Sequence, residues 1–349
     1  MRVLVADRHG NVKDELDALV ESVMWVLNGI GRARLSIAVT SPKAIPENLA
    51  PSNRIWIEFE NGLPPWGGVI DLPRRWSEGV IEINAYTIEH ILQYRITDRS
   101  TYFSNAPVGA ILARVLREVQ AVQHEGIELG QIWLGGQGHY PAYHFKSVWA
   151  IIQSIRRMEQ CDVVFEPQLT VGRIWFRANL LERWGQDKSS KVLLAEGYNV
   201  SDVVFEEQGP LVNYVVAAGA GTTWTERPIV AGGVQESIQQ FGLRERLEVY
   251  PDVSYESTLQ LHCQRILQAQ AWPLRRFGLT VVNEEPGRFA DYDVGDIVRL
   301  QLPSVGWGYD GRVRVIAREF NGRTGVCRLA VDEWTEEQVF IREVREGEE

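Results

Sequence analysis

Over most of this chain apolar and polar residues alternate with a period of two, the signature of half-buried β-strands. The clearest run lies near the end, at 292–303, 311–320 and 326–332, with a tight turn at 321–325. It reads as a three-stranded meander with arginines on its open face and nothing chemically reactive. The first 97 residues carry the same pattern at 3–7, 32–39, 54–60, 66–72 and 80–86. Asn28-Gly29 and Asn61-Gly62 supply hairpin turns. Short alternating strands at regular spacing predict a small barrel or sandwich. The stretch 14–18 is compatible with a short helix as well.

Between 98 and 188 the period lengthens toward that of a helix. Asn105 is the expected cap of one helix, with Pro107 in its first turn and Val108, Ile111, Leu112, Val115, Leu116 and Val119 on one face. After a glycine-rich loop at 135–139, Ser147 caps a second helix bearing Val148, Ile151, Ile152, Ile155 and Met158. Strands at 162–166 and 173–177 flank a turn and complete an α/β module. Alternation returns at 192–196, 200–206 and 211–218. A polar loop and a helix at 255–271, closed by Pro273, then read as an insertion.

The expected organisation is therefore a β-barrel at 1–97, an α/β module at 98–188, and a second barrel at 189–222 and 275–335. That second barrel is split by an insertion at 223–274, and a charged tail follows at 336–349. The fold class is α+β, mainly β: two antiparallel barrels, a middle α/β module and a helical insertion.

A length of 349 residues suits two or three domains, and 45% apolar content allows sizeable cores. The 12 tryptophans are scattered, which suits core and interface anchors. A net charge of −10 argues against a general nucleic-acid binder and fits a surface that lets DNA pass without sticking. Cys161, Cys263 and Cys327 lie far apart, giving no disulfide framework and no zinc motif; buried thiols made in a reducing cytoplasm are expected. The N-terminus turns charged at Asp7, too soon for a signal peptide, and no apolar run approaches the ~18 residues of a membrane helix.

Several constellations invite a chemical reading, and each has a plainer one. Gly219-Ala-Gly221 follows a strand, but Trp224 stands where a dinucleotide fingerprint needs its third glycine. The loop at 135–138 lacks the Lys-Ser/Thr of a phosphate loop. The 291–296 stretch resembles the start of a calcium loop, yet its glycine falls one position early and Leu302 replaces the closing glutamate. His139 and His144 have no carboxylate or cysteine at ligand spacing. Glu58, Glu60, Asp71 and Glu82 fall on neighbouring strands, where an acidic face is far commoner than a glycosidase pair. No catalytic, cofactor or metal-binding residue is assigned.

Taken in order, three segments resemble the phage tail hub family: 27–37 (Leu27-Asn-Gly-Ile-Gly-Arg-Ala-Arg-Leu-Ser-Ile37), 55–62 and 66–70. This family comprises baseplate hubs of contractile tails, late-control D proteins, the spike-bearing hub of type VI secretion and siphophage hub-like tail proteins. The segment 211–219 resembles the strand that opens the second barrel of such hubs, and 292–296 with the final meander resembles its close. The resemblance implies two barrels like those of the tail-tube subunit. It implies a trimeric ring that adapts a six-fold tube to a three-fold tip and lines the DNA or effector channel, with no enzymatic activity and no cofactor. Implied partners are further copies of the chain, a tail-tube or distal tail ring protein, a tip or spike protein, the tape measure protein and passing DNA. Implied location is the virion tail, assembled in the bacterial cytoplasm. Neither a lysozyme-like domain nor a β-helical spike is visible, so no cell-wall-cutting or piercing role carries over.

Two other readings compete. A carbohydrate-binding host-adhesion protein would use loops 135–145 and 222–236 and stack several tryptophans on an open surface. A glycan hydrolase would need two convergent carboxylates in a pocket.

Overall fold

A computed structural model describes residues 1–98, 101–136, 138–251, 253–305 and 308–334, together with the backbone of Phe340–Glu343. Two compact units emerge: Met1–Val204 with Phe277–Val331, and Phe205–Arg276 with the chain from Asp332 onward.

The first strands of the larger unit are β1 (Arg2–Ala6), β2 (Val12–Glu15), β3 (Ala18–Val26), β4 (Arg32–Ala38), β5 (Arg54–Glu58), β6 (Trp66–Ser77) and β7 (Val80–Tyr86). All their pairings are antiparallel. The alternation seen in the sequence has its physical cause in the pleat: Ala33, Leu35 and Ile37 of β4 and Ile81, Ile83 and Ala85 of β7 point into one core. The 14–18 stretch is the end of β2, a two-residue link and the start of β3, not helix. Leu16 is buried, and its N–H donates to Val3 O at 2.8 Å.

The middle module follows as α1 (Glu89–Leu92), β8 (Thr101–Tyr102), α2 (Val108–Val122), β9 (Ile127–Ile132), β10 (Ala142–Tyr143), α3 (Val148–Glu159), β11 (Asp162–Thr170) and β12 (Arg173–Leu181). Strands order β11-β12-β9, with β9 parallel to β12. The apolar faces of α2 and α3 pack with Phe165 and Phe176 of that sheet in one core. Ser147 caps α3 as expected, accepting from Ala150 N at 3.1 Å. The cap of α2 differs. Pro107 occupies that position in an extended conformation, and Asn105 lies upstream with φ +47. Proline's fixed φ and missing N–H suit a helix start, so no side-chain cap is required.

Arg54 ties the first barrel to this module. Almost wholly buried, it donates to Ile174 O at 2.5 Å and Glu125 O at 3.0 Å, and sits over the Phe176 ring. Burial, opposed by Glu125 and Asp7, lowers its pKa to about 10.

The chain continues through β13 (Leu193–Ala195) and β14 (Val200–Gln208) and then builds most of the smaller unit. That unit holds β15 (Tyr214–Ala218), β16 (Ile229–Gly233), α4 (Gln235–Phe241), β17 (Glu245–Val249) and α5 (Glu256–Gln270). Helix α5 buries Leu259, Cys263 and Leu267 with Val215 and Ala217 of β15. Asn213 is fully buried and joins the pieces by donating to Ser237 Oγ and Gly242 O and accepting from Arg244 N. The strand read as opening the second barrel, 211–218, thus belongs elsewhere: β15 pairs with β16 and β17. After α5 come β18 (Leu274–Val281), β19 (Ile297–Leu302), β20 (Tyr309–Asn321), β21 (Cys327–Glu333) and β22 (Phe340–Glu343), the last pairing with β16.

The second β block, expected as a barrel, runs β13-β19-β20-β21-β18-β14 and the first runs β1-β5-β6-β7-β4-β3, the two joined in one 13-stranded sheet. With the short β2, which pairs only with β1, left out, and the remaining strands numbered by chain order within each block, both read 1-4-5-6-3-2. The two β blocks therefore share one topology. They differ in their first pair, since β1 and β5 run antiparallel whereas β13 and β19 run parallel.

Candidate assembly interface

Among the described residues no group of His, Cys, Asp and Glu side chains is arranged to hold a metal ion. The residues that drew attention in the sequence are occupied individually. His139 Nε2 meets Glu159 Oε1 at 2.6 Å, and His144 stacks edge-on against Tyr102. Asp71 meets His90 Nε2 at 2.7 Å, Glu60 binds the N-terminal amine at 2.5 Å, and Glu82 faces Arg75 across the β6–β7 ladder. Gly219 N donates to Pro228 O in the turn leaving β15. Asp296 is buried and accepts from Gln186 N and Asp293 N, so the 291–296 stretch is a turn held by its own carboxylate. Of the described tryptophans only Trp76 and Trp224 are exposed.

The organised polar and aromatic contacts lie instead where the two barrels meet. Strand 2 of the first barrel, β3, pairs antiparallel with strand 5 of the second, β20, from Ala317↔Val26 to Asn321↔Ser22. Leu27 N donates to Ile316 O and Gly322 N to Glu21 O, extending the ladder at both ends. A Cβ at Gly322 would collide with the Val20 carbonyl oxygen, so only glycine lets the chains approach this closely. Arg323 grips Glu21 through two bonds, Nε at 2.5 Å and Nη2 at 2.7 Å, and Ser36 Oγ adds a third at 2.8 Å. These partners hold the Glu21 carboxyl below the usual carboxylate range, Arg323 most strongly. Beneath them Trp25, Phe59, Phe320 and Phe289 pack ring against ring at 5.5–6.4 Å.

Because the barrels share one topology, this junction has equivalents elsewhere. Strand 5 of the first barrel is β6. In the strand 4–strand 5 ladders Val69 faces Arg54 and Arg314 faces Ile297, so the junction segment 317–321 corresponds to 72–76. Among the described residues β5 pairs with β6 only over 66–69, and no strand lies along the same edge of 72–76. Leu72 and Trp76 there are 60% and 59% exposed, and Arg75 is exposed too. Arg74 lies over the Trp76 ring and donates to Leu49 O, holding the indole outward. Pro73 removes one donor from this edge, as proline does on edge strands. Strand 2 of the second block is β14, which ends its sheet path with β18 as its only strand neighbour among the described residues. Its residues Ser201, Asp202 and Val204 are exposed. Each end of the tandem thus carries an open strand edge, on strand 5 of the first block and strand 2 of the second, the two strands that pair at the internal junction. Sequence reasoning missed these edges because they follow from pairing between strands some 300 residues apart, as with Glu21 and Arg323.

No protein-family model matches the chain, and no curated protein matches it in sequence. Solved structures do match over nearly its whole length. A prophage tail protein, gp18 from Listeria monocytogenes EGD-e, superposes with a TM-score of 0.66 at 14% identity, covering 95% of this chain and 94% of that one. The 43 kDa tail protein of prophage MuSo2 from Shewanella oneidensis gives 0.64 at 12% identity, covering 95% and 98%. The E. coli c3393 protein, a component of the type VI secretion system with structural similarity to the T4 tail proteins gp27 and gp5, gives 0.54 at 12% identity, covering 92% and 74%. The fold is that of hub-like tail proteins, as the ordered segments of the sequence had indicated.

Proposed function

We propose that the chain is a structural hub subunit of a phage or phage-like tail tip, and that three copies close into a ring. Each joint sets 72–76 of one subunit against the open edge of β14, at 200–204, of the next, a strand 5–strand 2 pairing like that of β20 and β3 within the chain. One observation carries this reading: a junction made once inside the molecule, with both of its complementary edges left open at the ends. A heterologous edge contact of this kind either closes into a ring or runs on as a filament. Six barrels from three chains close the ring and remove the open edges. The exposed Trp76 supplies the aromatic anchor such interfaces favour, and Arg75 against Asp202 sets the register.

In this reading the ring adapts a six-fold tube to a three-fold tip in the virion tail. It contacts a tube or distal ring protein on one side, a tip or spike protein on the other, and the tape measure protein, and it conducts DNA or effector through an acidic lumen. The residues take no part in catalysis. The adhesion reading gains no support from Trp76 and Trp224, which lie in different compact units and so form no continuous platform within one unit.

The joint is tested by cross-linking a chain carrying Arg75→Cys and Asp202→Cys. The native thiols are buried, with burial pushing Cys161 and Cys263 up to about 11 and Cys327 up to about 12, and they stay silent under mild oxidation. A covalent ladder ending at trimer is expected for the double variant and no ladder for either single one. Absence of the ladder from a preparation that is trimeric by mass would sink the proposed edges.

A further inference from the structure

A cleft of about 390 Å³ opens within the larger unit and is not part of the proposed ring edges. Its walls are unusually aromatic: Trp25, Trp56 and Trp66 come from the first barrel, Trp184 from the segment after β12, and Pro167 from β11. Trp66 is settled, its Nε1 donating to Met24 O at 3.2 Å. Its neighbours are not. Trp25 Nε1, Trp56 Nε1 and Glu89 Oε2 are all buried without a hydrogen-bond partner. Buried polar atoms are nearly always paired, so three orphans carried by residues that line one cleft point to a ligand that completes them. Two are donors and one is an acceptor.

Charge narrows the ligand. Among the described residues Glu89, Glu166 and Asp293 line the cleft and no Lys, Arg or His does, with Arg318 Nη1 4.0 Å from Asp293 Oδ1 behind it. Glu166 accepts from Asn179 Nδ2 at 2.6 Å and Asp293 from Val294 N at 2.7 Å, whereas one oxygen of Glu89 has nothing. Glu89 is only 7% exposed, and burial raises its pKa to about 7 against the opposing Thr87 hydroxyl. A neutral sugar would satisfy the indole donors but gains nothing from three carboxylates. A guanidinium satisfies the acidic oxygen and stacks on indole faces. Grooves walled by tryptophan and proline also suit an extended backbone, whose carbonyls are acceptors for the indole N–H groups.

We propose that this cleft receives an arginine-bearing extended segment of a partner protein, the guanidinium donating to Glu89 Oε2 and main-chain carbonyls accepting from Trp25 and Trp56 Nε1. The inference goes beyond the ring reading and does not rest on it, since the cleft is complete within one chain.

The test uses the full chain and two peptides, acetyl-Gly-Arg-Gly-amide and its citrulline counterpart, which is neutral but nearly the same shape. Binding is followed by calorimetry and by the indole N–H resonances. The arginine peptide is expected to shift the Trp25 and Trp56 resonances and to bind about tenfold or more tightly than the citrulline peptide. Glu89→Gln should erase that preference, and Trp56→Phe, which keeps a ring but removes the donor, should weaken the arginine peptide severalfold. Equal binding of the two peptides, no binding at ~10 mM, or N-acetylglucosamine shifting these indoles where the arginine peptide does not, would overturn the proposal. A preference that survives Glu89→Gln in a folded variant would overturn the assignment of the carboxylate.

Discussion

Glu21 and Arg323 lie 302 residues apart in the chain and meet through two hydrogen bonds, at 2.5 and 2.7 Å, across the joint between the two barrels. Ion pairs this exposed contribute little by themselves. Their role here is register: shifting β20 by one residue against β3 would break the pair and turn Phe320 out of its aromatic cluster. Glu21→Gln should therefore change stability only slightly at neutral pH. The sign of its pH effect is fixed. The folded carboxyl titrates below its ordinary value, so its contribution is present above the unfolded pKa and is lost as pH falls through the folded one. Melting curves should show the native chain losing its small advantage over Glu21→Gln in the acid range, and an advantage that grows there would be contrary.

Gly322 carries more weight than the ion pair beside it. Any side chain there meets the Val20 carbonyl, and backbone cannot yield as a flexible side chain does. Gly322→Val should cost about 2–4 kcal/mol in denaturant unfolding. A loss under about 0.5 kcal/mol would mean that the joint is looser than described.

Arg54 is a buried cation whose bonds run to two carbonyl oxygens rather than to a carboxylate. Arg54→Met keeps the stem but leaves Ile174 O and Glu125 O without this donor. Roughly 2–4 kcal/mol of stability should go, because unsatisfied buried acceptors remain. Truncation that costs nothing would show that water replaces the guanidinium.

Glu89 has the opposite sign to Glu21. Its folded pKa, about 7, lies above the ordinary 4.5, so the folded state favours the protonated form. That preference is fully present below the unfolded pKa and is lost as pH rises through about 7. Glu89→Gln should remove this slope and be more stable than the native chain at pH 8, by roughly 2 kcal/mol. Equal pH profiles for the two chains would place the carboxyl in a wetter setting.

Much of this architecture was legible in the residues because strand alternation and helix periodicity are local. Ala33, Leu35 and Ile37 declare a buried face, Asn28-Gly29 declares a hairpin, and Ser147 declares a helix start. What stayed hidden depends on partners. The alternating run at 211–218 reads the same whichever sheet receives it, and it joined β16 and β17. Pro107 could end the search for a cap only once its extended backbone was visible. The open edges at 72–76 and 200–204 have no signature of their own. They are recognised by comparison with a filled edge elsewhere in the chain. Glu89 falls between the strand expected at 80–86 and the module expected from 98, where the pattern predicts no element, and nothing local says that it is buried.

The central claim is that the chain closes on two further copies through edges equivalent to its own internal joint. The most direct test is the native mass of the purified chain by light scattering over a range of concentrations, beside Trp76→Glu and Val204→Lys variants. The expected result is a discrete species of three chains for the native protein, and monomers with unchanged melting behaviour for both variants. A dimer, a native chain that stays monomeric up to ~100 µM, or a trimer indifferent to both substitutions would contradict it.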